Sequence, residues 1–331
     1  MIFRSKLVAL DVSSESIQAV RGTFKFSKIF IDRWKVILRR DEDVKNLARD
    51  LNVDVEDVLA TNMPMDLIIF QTFEIVPGMK RDEVVNYGKM MASRNLGLSP
   101  EEVSVDLVGS FGNKGIFAIS KMENVRKTVD NVASLGFPEP DIVVPDAFKF
   151  VYITSIPVSG EMLIVALNFL QDYITLIVFS DGEIVAVRTI GVGMGKVFDL
   201  VEDHFGISRE ELILKTSFDE DDKELVDFLK TSFSDIPMEL NREIRATLGE
   251  AIKEIDTSDI DVVRIHSDPT AFEDILVEVF KESGSFPDVP QIPMEKVSIQ
   301  TSVSRRIKGA LGLLVRCGYE FGKVKSVQIK G

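Results

Sequence analysis

The chain has 331 residues, 45% hydrophobic and 28% charged, with a formal net charge of -14, a length that asks for about two domains and a composition ordinary for a folded globular protein. That negative balance excludes a sequence-independent nucleic-acid binder, whose affinity comes from Lys and Arg neutralising phosphates, and it sets the protein's overall field against an anionic membrane. Cys317 is the single cysteine, which excludes an internal disulfide and a cysteine-built metal site and makes a reducing cytoplasm the expected home.

The spacing predicts strands over 6–12, 16–23 and 29–38, the first two joined as a hairpin with Asp11 at its bend. The acidic start Asp41-Glu42-Asp43 precedes a helix over 44–51, with Val44, Leu47 and Leu51 on one face. A second short helix is expected over 55–59, then a strand over 67–76 ended by Pro77-Gly78.

The block 77–140 has its own pattern. A helix over 80–94, a strand over 103–109, a Gly112-Asn113-Lys114-Gly115 turn, a strand over 116–120 and a helix over 122–135 make a compact α/β insertion closed by Pro138 and Pro140. A strand over 141–144 then leads into a helix starting near Asp146.

From Leu163 to Phe179 the opening hairpin is repeated, with Asn168 where the first copy has Asp11. A third strand follows the turn Ser180-Asp181-Gly182. The glycines of Gly191-Val192-Gly193-Met194-Gly195 introduce a helix over 196–204, and Ser208 with Glu211 has capping-box spacing. A helix pair over 225–255 broken near Pro237, a strand over 261–266, and helices over 270–282 and 303–317 complete the chain. Two copies of one hairpin imply two similar lobes.

The order of these segments resembles the PilM family, the actin-like proteins of type IV pilus assembly related to FtsA. The strings that carry the likeness are Leu10-Asp11-Val12-Ser13-Ser14, Phe73 to Met79, Leu98 to Asp106, Leu135-Gly136-Phe137-Pro138, Arg188 to Gly193 after Asp181-Gly182, and Gly309 to Arg316. The resemblance implies an α/β, actin-like (ribonuclease H-like, duplicated) bilobal fold with an inserted α/β module. The first lobe is then 1–76 plus 141–160, the module 77–140, and the second lobe 161–331.

The phosphate motifs depart from the family. Its first bend reads Asp, aliphatic, Gly, small hydroxyl residues and a Lys; here stand Asp11, Val12, Ser13, Ser14 and, in place of the Lys, Gln18. Glycine serves at such bends because phosphate must approach the backbone closely. The second bend has Asn168, Phe169 and Leu170, and an amide is no substitute for a carboxylate base or an anionic partner for hydrated Mg²⁺. A glycine-rich turn that receives adenosine in the family is replaced by Arg264-Ile265-His266-Ser267-Asp268-Pro269. Asp11, Ser13, Ser14, Asn168, Gly191 and Gly193 therefore mark a degenerate nucleotide cleft. No cofactor and no metal are expected, and the alternative is an active ATPase or kinase binding ATP with Mg²⁺.

The work implied is scaffolding. As PilM docks the tail of PilN, this chain is expected to dock the cytosolic tail of a PilN-like inner-membrane protein, in a groove between module and first lobe lined by Tyr87, Met91, Val103, Val105, Leu107, Ile116 and Phe117. It would sit in the cytoplasm at the inner face of the inner membrane through that partner, without direct insertion. Homo-oligomerisation, and a pilus or a secretion system as the setting, stay open.

Overall fold

The first hairpin grows into a sheet by adding strands on both sides. β1 (Ser5–Val12) pairs antiparallel with β2 (Ser16–Lys25), β2 with β3 (Lys28–Leu38), and β4 (Val58–Met63) joins β1 in parallel. The second hairpin does the same: β9 (Leu163–Phe169), β10 (Ile174–Ser180) and β11 (Glu183–Ile190) form the meander, and β12 (Val262–Ser267) joins β9 in parallel. The order β3-β2-β1-β4 thus recurs as β11-β10-β9-β12. Asp11 and Asn168 are each the penultimate residue of the first strand, opposite Gln18 and Thr175 respectively.

The computed structural model describes residues 5–153, 162–251, 259–286, 298–299 and 305–329. It divides into two units, one made of Met1–Ile68, Met122–Ser155 and Met294–Gly331, the other of Ile69–Lys121 and Ile156–Pro293.

In the first unit β8 (Ile142–Pro145) extends the sheet beyond β4, while β14 (Ser326–Ile329) and β13 (Ser298–Ile299) extend it beyond β3. Successive side chains of a strand point to opposite faces. On one face Val8, Leu10 and Ile17 share a core with Leu47 of α1 (Leu47–Asp50) and Val132 of α3 (Met122–Ser134). The other face carries α9 (Lys308–Tyr319), which lies against β1, β2 and β4. Its residues from Gly309 to Val315 are all buried, as expected for a helix apolar on every side.

The second unit holds two sheets. Helices α4 (Gly195–Phe205), α5 (Arg209–Leu214), α6 (Lys223–Phe233), α7 (Ile236–Ala251) and α8 (Glu273–Ser283) accompany the four-stranded one, with Phe198, Leu212, Leu229, Ile244 and Phe280 in its core. The capping box opens α5 as expected: Ser208 Oγ accepts from Glu211 N, and Glu211 Oε2 from Ser208 N at 2.9 Å. A three-stranded sheet, β5 (Ile69–Glu74), β7 (Lys114–Lys121) and β6 (Val103–Phe111), carries α2 (Arg81–Leu96) on one face. Gly88 is required there, because a Cβ would overlap the Phe117 ring.

Several expected boundaries move. The short helix over 55–59 is instead a turn, Asp57 N to Asp54 O at 3.1 Å, followed by β4. Its apolar residues pair in parallel with Leu7 to Leu10, a long-range contact that overrides a weak local pattern. The segment near Asp146 is a single 3-10 turn, Asp146–Phe148. The insertion does not run over 77–140: β5 already belongs to its sheet, and α3 joins the first unit because Val132 packs with Val8 and Leu10. Residues 252–255 and 303–304 of the expected helices, and 154–160 of the expected first lobe, lie outside the described residues.

Candidate functional site

The two hairpin bends were the expected phosphate sites, and each is closed by the protein's own groups. At the first, Ser13 N donates to Ser16 O at 3.0 Å and Ser16 N donates to Ser13 Oγ at 3.0 Å. Amide and hydroxyl of Ser13 are thus used within the turn, and Ser14 is exposed beside it.

Asp11, 2% exposed, faces a cation from another part of the chain. Lys149 Nζ lies 3.0 Å from Asp11 Oδ1, 2.9 Å from Oδ2 and 3.1 Å from Asp146 Oδ1. The Lys149 side chain is itself 1% exposed. Asn62 fastens the network: its Nδ2 donates to Asp146 Oδ1 at 2.7 Å and to Val12 O at 3.1 Å, and its Oδ1 accepts from Val12 N at 2.7 Å. Buried carboxylates are tolerated when paired and hydrogen-bonded in this way.

Helix α9 seals the arrangement from its first turn. A Cβ at Gly309 would overlap Asp11 Oδ2, and one at Gly312 would overlap Lys149 O. Gln18, where the family has its Lys, is buried and accepts from Ala310 N at 3.4 Å. A hydrated Mg²⁺ needs carboxylate oxygens facing water, and both oxygens of Asp11 face an ammonium instead. This bend does not fit a Mg²⁺-bound phosphate.

The second bend is filled differently. Met194 N donates to Leu170 O at 3.1 Å and Gly195 N to Gln171 O at 2.9 Å, so the amides at the start of α4 are spent on the bend's carbonyls. Gly193 is needed for that contact, since a Cβ would overlap Gln171 O. Gly191 differs: a Cβ there would meet nothing within 4 Å. Asn168 is fully buried in a row across the sheet, paired with Thr175 on β10 and His266 on β12. His266 Nδ1 lies 3.9 Å from Glu273 Oε1, which accepts from Ser267 N at 3.1 Å. Among the described residues no group of three or more His, Cys, Asp or Glu is placed to hold a metal ion.

The expected partner groove is corrected by the insertion's packing. Val103 and Phe117 are fully buried, and Tyr87, Met91, Val105 and Leu107 pack against them under α2. These six form the insertion's own core, because α2 covers the face that their alternation shares. Ile116 points the other way. With Phe70, Thr72, Lys114, Val187 and Arg188 it lines a cleft of about 260 Å³ within the second unit.

No protein-family profile matches the chain, and no curated protein matches it in sequence. Among solved structures, the PilM–PilN type IV pilus biogenesis complex superposes with a TM-score of 0.67 over 94% of this chain and 98% of that one, at 13% identity. The chain has the actin-like fold of PilM. Two others are less similar. The cytoplasmic domain of EpsL, from the type II secretion system of Vibrio cholerae, has 10% identity, coverage of 93% and 95%, and a TM-score of 0.43. The ethanolamine utilization protein EutJ of Carboxydothermus hydrogenoformans has 13% identity, coverage of 93% and 89%, and a TM-score of 0.49.

Within this PilM-like fold the duplicated strands bring Asp11 and Asn168 to equivalent places, as the repeat predicted. Sequence reasoning missed Lys149, Asp146 and Asn62, which decide the chemistry at Asp11. One signal was present: Lys149 interrupts the aromatic run Phe148, Phe150, Tyr152, and a lone Lys in such a run is buried only with a carboxylate partner.

Proposed function

We propose that this protein is a PilM-like scaffold that docks the cytosolic tail of an inner-membrane assembly protein, in a type IV pilus or a related secretion machine, with weak or absent nucleotide hydrolysis. The observation that carries the reading is Lys149 holding both oxygens of Asp11. An actin-like ATPase needs that carboxylate for its metal ion, and here it is committed to structure. The similarity to a PilM solved together with PilN supports a tail as partner. Among the described residues no helix is long and apolar enough to cross a membrane, and in this reading the partner's tail holds the protein at the cytoplasmic face.

The tail's seat in this reading is the cleft that Ile116 lines. β5 is an edge strand with β7 as its neighbour, so an extended peptide adds its backbone there and lays alternate apolar side chains on Phe70, Ile116 and Val187. Titrating the full chain with the tail peptide of a single-pass membrane protein encoded beside it tests this. Saturable binding that Thr72→Arg abolishes supports the assignment, since Thr72 is exposed at the cleft and its replacement leaves the core intact. No binding by the unaltered chain overturns it.

A further inference from the structure

The hairpin joining β2 to β3 turns at Phe26 and Ser27, whose φ angles of 52° and 59° lie in the left-handed region. Turns of this kind favour Asn and Gly, because a Cβ is strained there. The first place nevertheless holds a phenylalanine that is 71% exposed. Such a side chain contributes almost nothing to the core, and strained residues cluster where function holds them. The tip is pinned by Lys325 N donating to Ser27 O at 2.7 Å.

The strand register gathers lysines around this tip. Lys25 and Lys28 flank the turn as a cross-strand pair, and Lys25 Nζ lies 4.9 Å from the centre of the Phe26 ring. Ser326 pairs with Lys28, which brings Lys325 and Lys323 alongside, and Lys6 stands opposite Thr23 on β1. Lys6, Lys28, Lys323 and Lys325 are all exposed. Phe321, 42% exposed, leans on Phe24 with ring centres 6.1 Å apart. The acidic neighbour Glu320 is paired with Arg316 at 2.5 Å. Of the other acidic groups at this end of the sheet, Asp32 on β3 accepts from Thr23 Oγ1 at 2.6 Å, while Asp54, Glu56 and Asp57 precede β4 on the far side of β1, and Asp57 is bonded to Arg21 at 2.7 Å.

Five lysines and two exposed phenylalanines therefore share one corner of a chain whose formal charge is -14. We propose that this corner is a peripheral contact for an anionic membrane surface, with Phe26 entering the headgroup layer and the lysines meeting lipid phosphates. The protein's overall negative field does not oppose this at contact, because charges farther away than a Debye length of about 8 Å are screened. A protruding tip suits a soft layer that offers apolar depth and negative charge together. An acidic protein would have to supply a pocket for Phe26. The contact inserts no segment and stands independently of tail docking, though two weak anchors together hold a protein at a membrane better than either alone.

Cosedimentation of the full chain with vesicles tests the proposal. Binding is expected to vesicles containing phosphatidylserine at low salt, with little to phosphatidylcholine alone, and is expected to fall as salt is raised. Lys28→Gln, Lys323→Gln and Lys325→Gln each weaken it by about fivefold. Phe26→Asn weakens it by about tenfold, and this variant keeps its fold because Asn accepts a positive φ. The proposal is overturned if the unaltered chain ignores phosphatidylserine vesicles, as it would if this corner served an acidic protein. Binding that Phe26→Asn and the three lysine variants leave unchanged overturns it equally.

Discussion

Lys149 Nζ stands 2.9 Å from one carboxylate oxygen of Asp11 and 3.0 Å from the other, joining positions 138 residues apart. With side-chain exposures of 1% each, the pair is out of water. Such a pair contributes less to stability than its charges suggest, yet breaking it is severe because one charge is left buried and unmatched.

Lys149→Met keeps the stem's volume and removes the cation, leaving Asp11 and Asp146 as neighbouring carboxylates. The expected loss is about 3–5 kcal/mol in urea unfolding. Adding Asp11→Asn to the same chain restores a large part of it. A single variant that unfolds at the unaltered midpoint contradicts the pairing.

The two glycines Gly309 and Gly249 make a matched comparison. A Cβ at Gly309 would overlap Asp11 Oδ2, whereas one at Gly249, on the exposed face of α7, meets nothing within 4 Å. Gly309→Ala is expected to destabilise by about 1–3 kcal/mol, and Gly249→Ala to stabilise by about 0.4–1 kcal/mol. Thermal unfolding of both variants checks the opposite signs.

Burial pushes the Cys317 thiol up to about 12 from an ordinary 9.0. Between those values the unfolded chain has lost the proton and the folded chain keeps it, so this group makes stability fall as pH rises through that window. Below pH 9 it contributes no pH dependence. Native protein at pH 8 should therefore resist alkylation, and unfolding in urea should expose one reactive thiol; rapid native labelling would contradict the burial.

What was readable in the sequence was local. The bends at Asp11 and Asn168, the Ser208–Glu211 box and the start of α2 each follow from residues a few places apart. β4 is not readable, because Val58, Leu59 and Ala60 are too short a run to outweigh the turn beside them, and their partners Leu7, Val8 and Ala9 stand 51 positions earlier. The alternation of Val103, Val105 and Leu107 shows that they share a face and so predicts a groove, but it does not show that α2 covers that face. That depends on Gly88 admitting the Phe117 ring. The sequence places Asp11 at the end of the first strand, but its chemistry rests on Lys149, which only the closed fold brings near.

The central claim is that the protein's own ammonium occupies the first bend, and thermal unfolding across a series of Mg-ATP concentrations tests it most directly. The predicted result is a midpoint that does not move. A midpoint that climbs steadily with nucleotide concentration, as mass action requires for a ligand of the folded state, would contradict it.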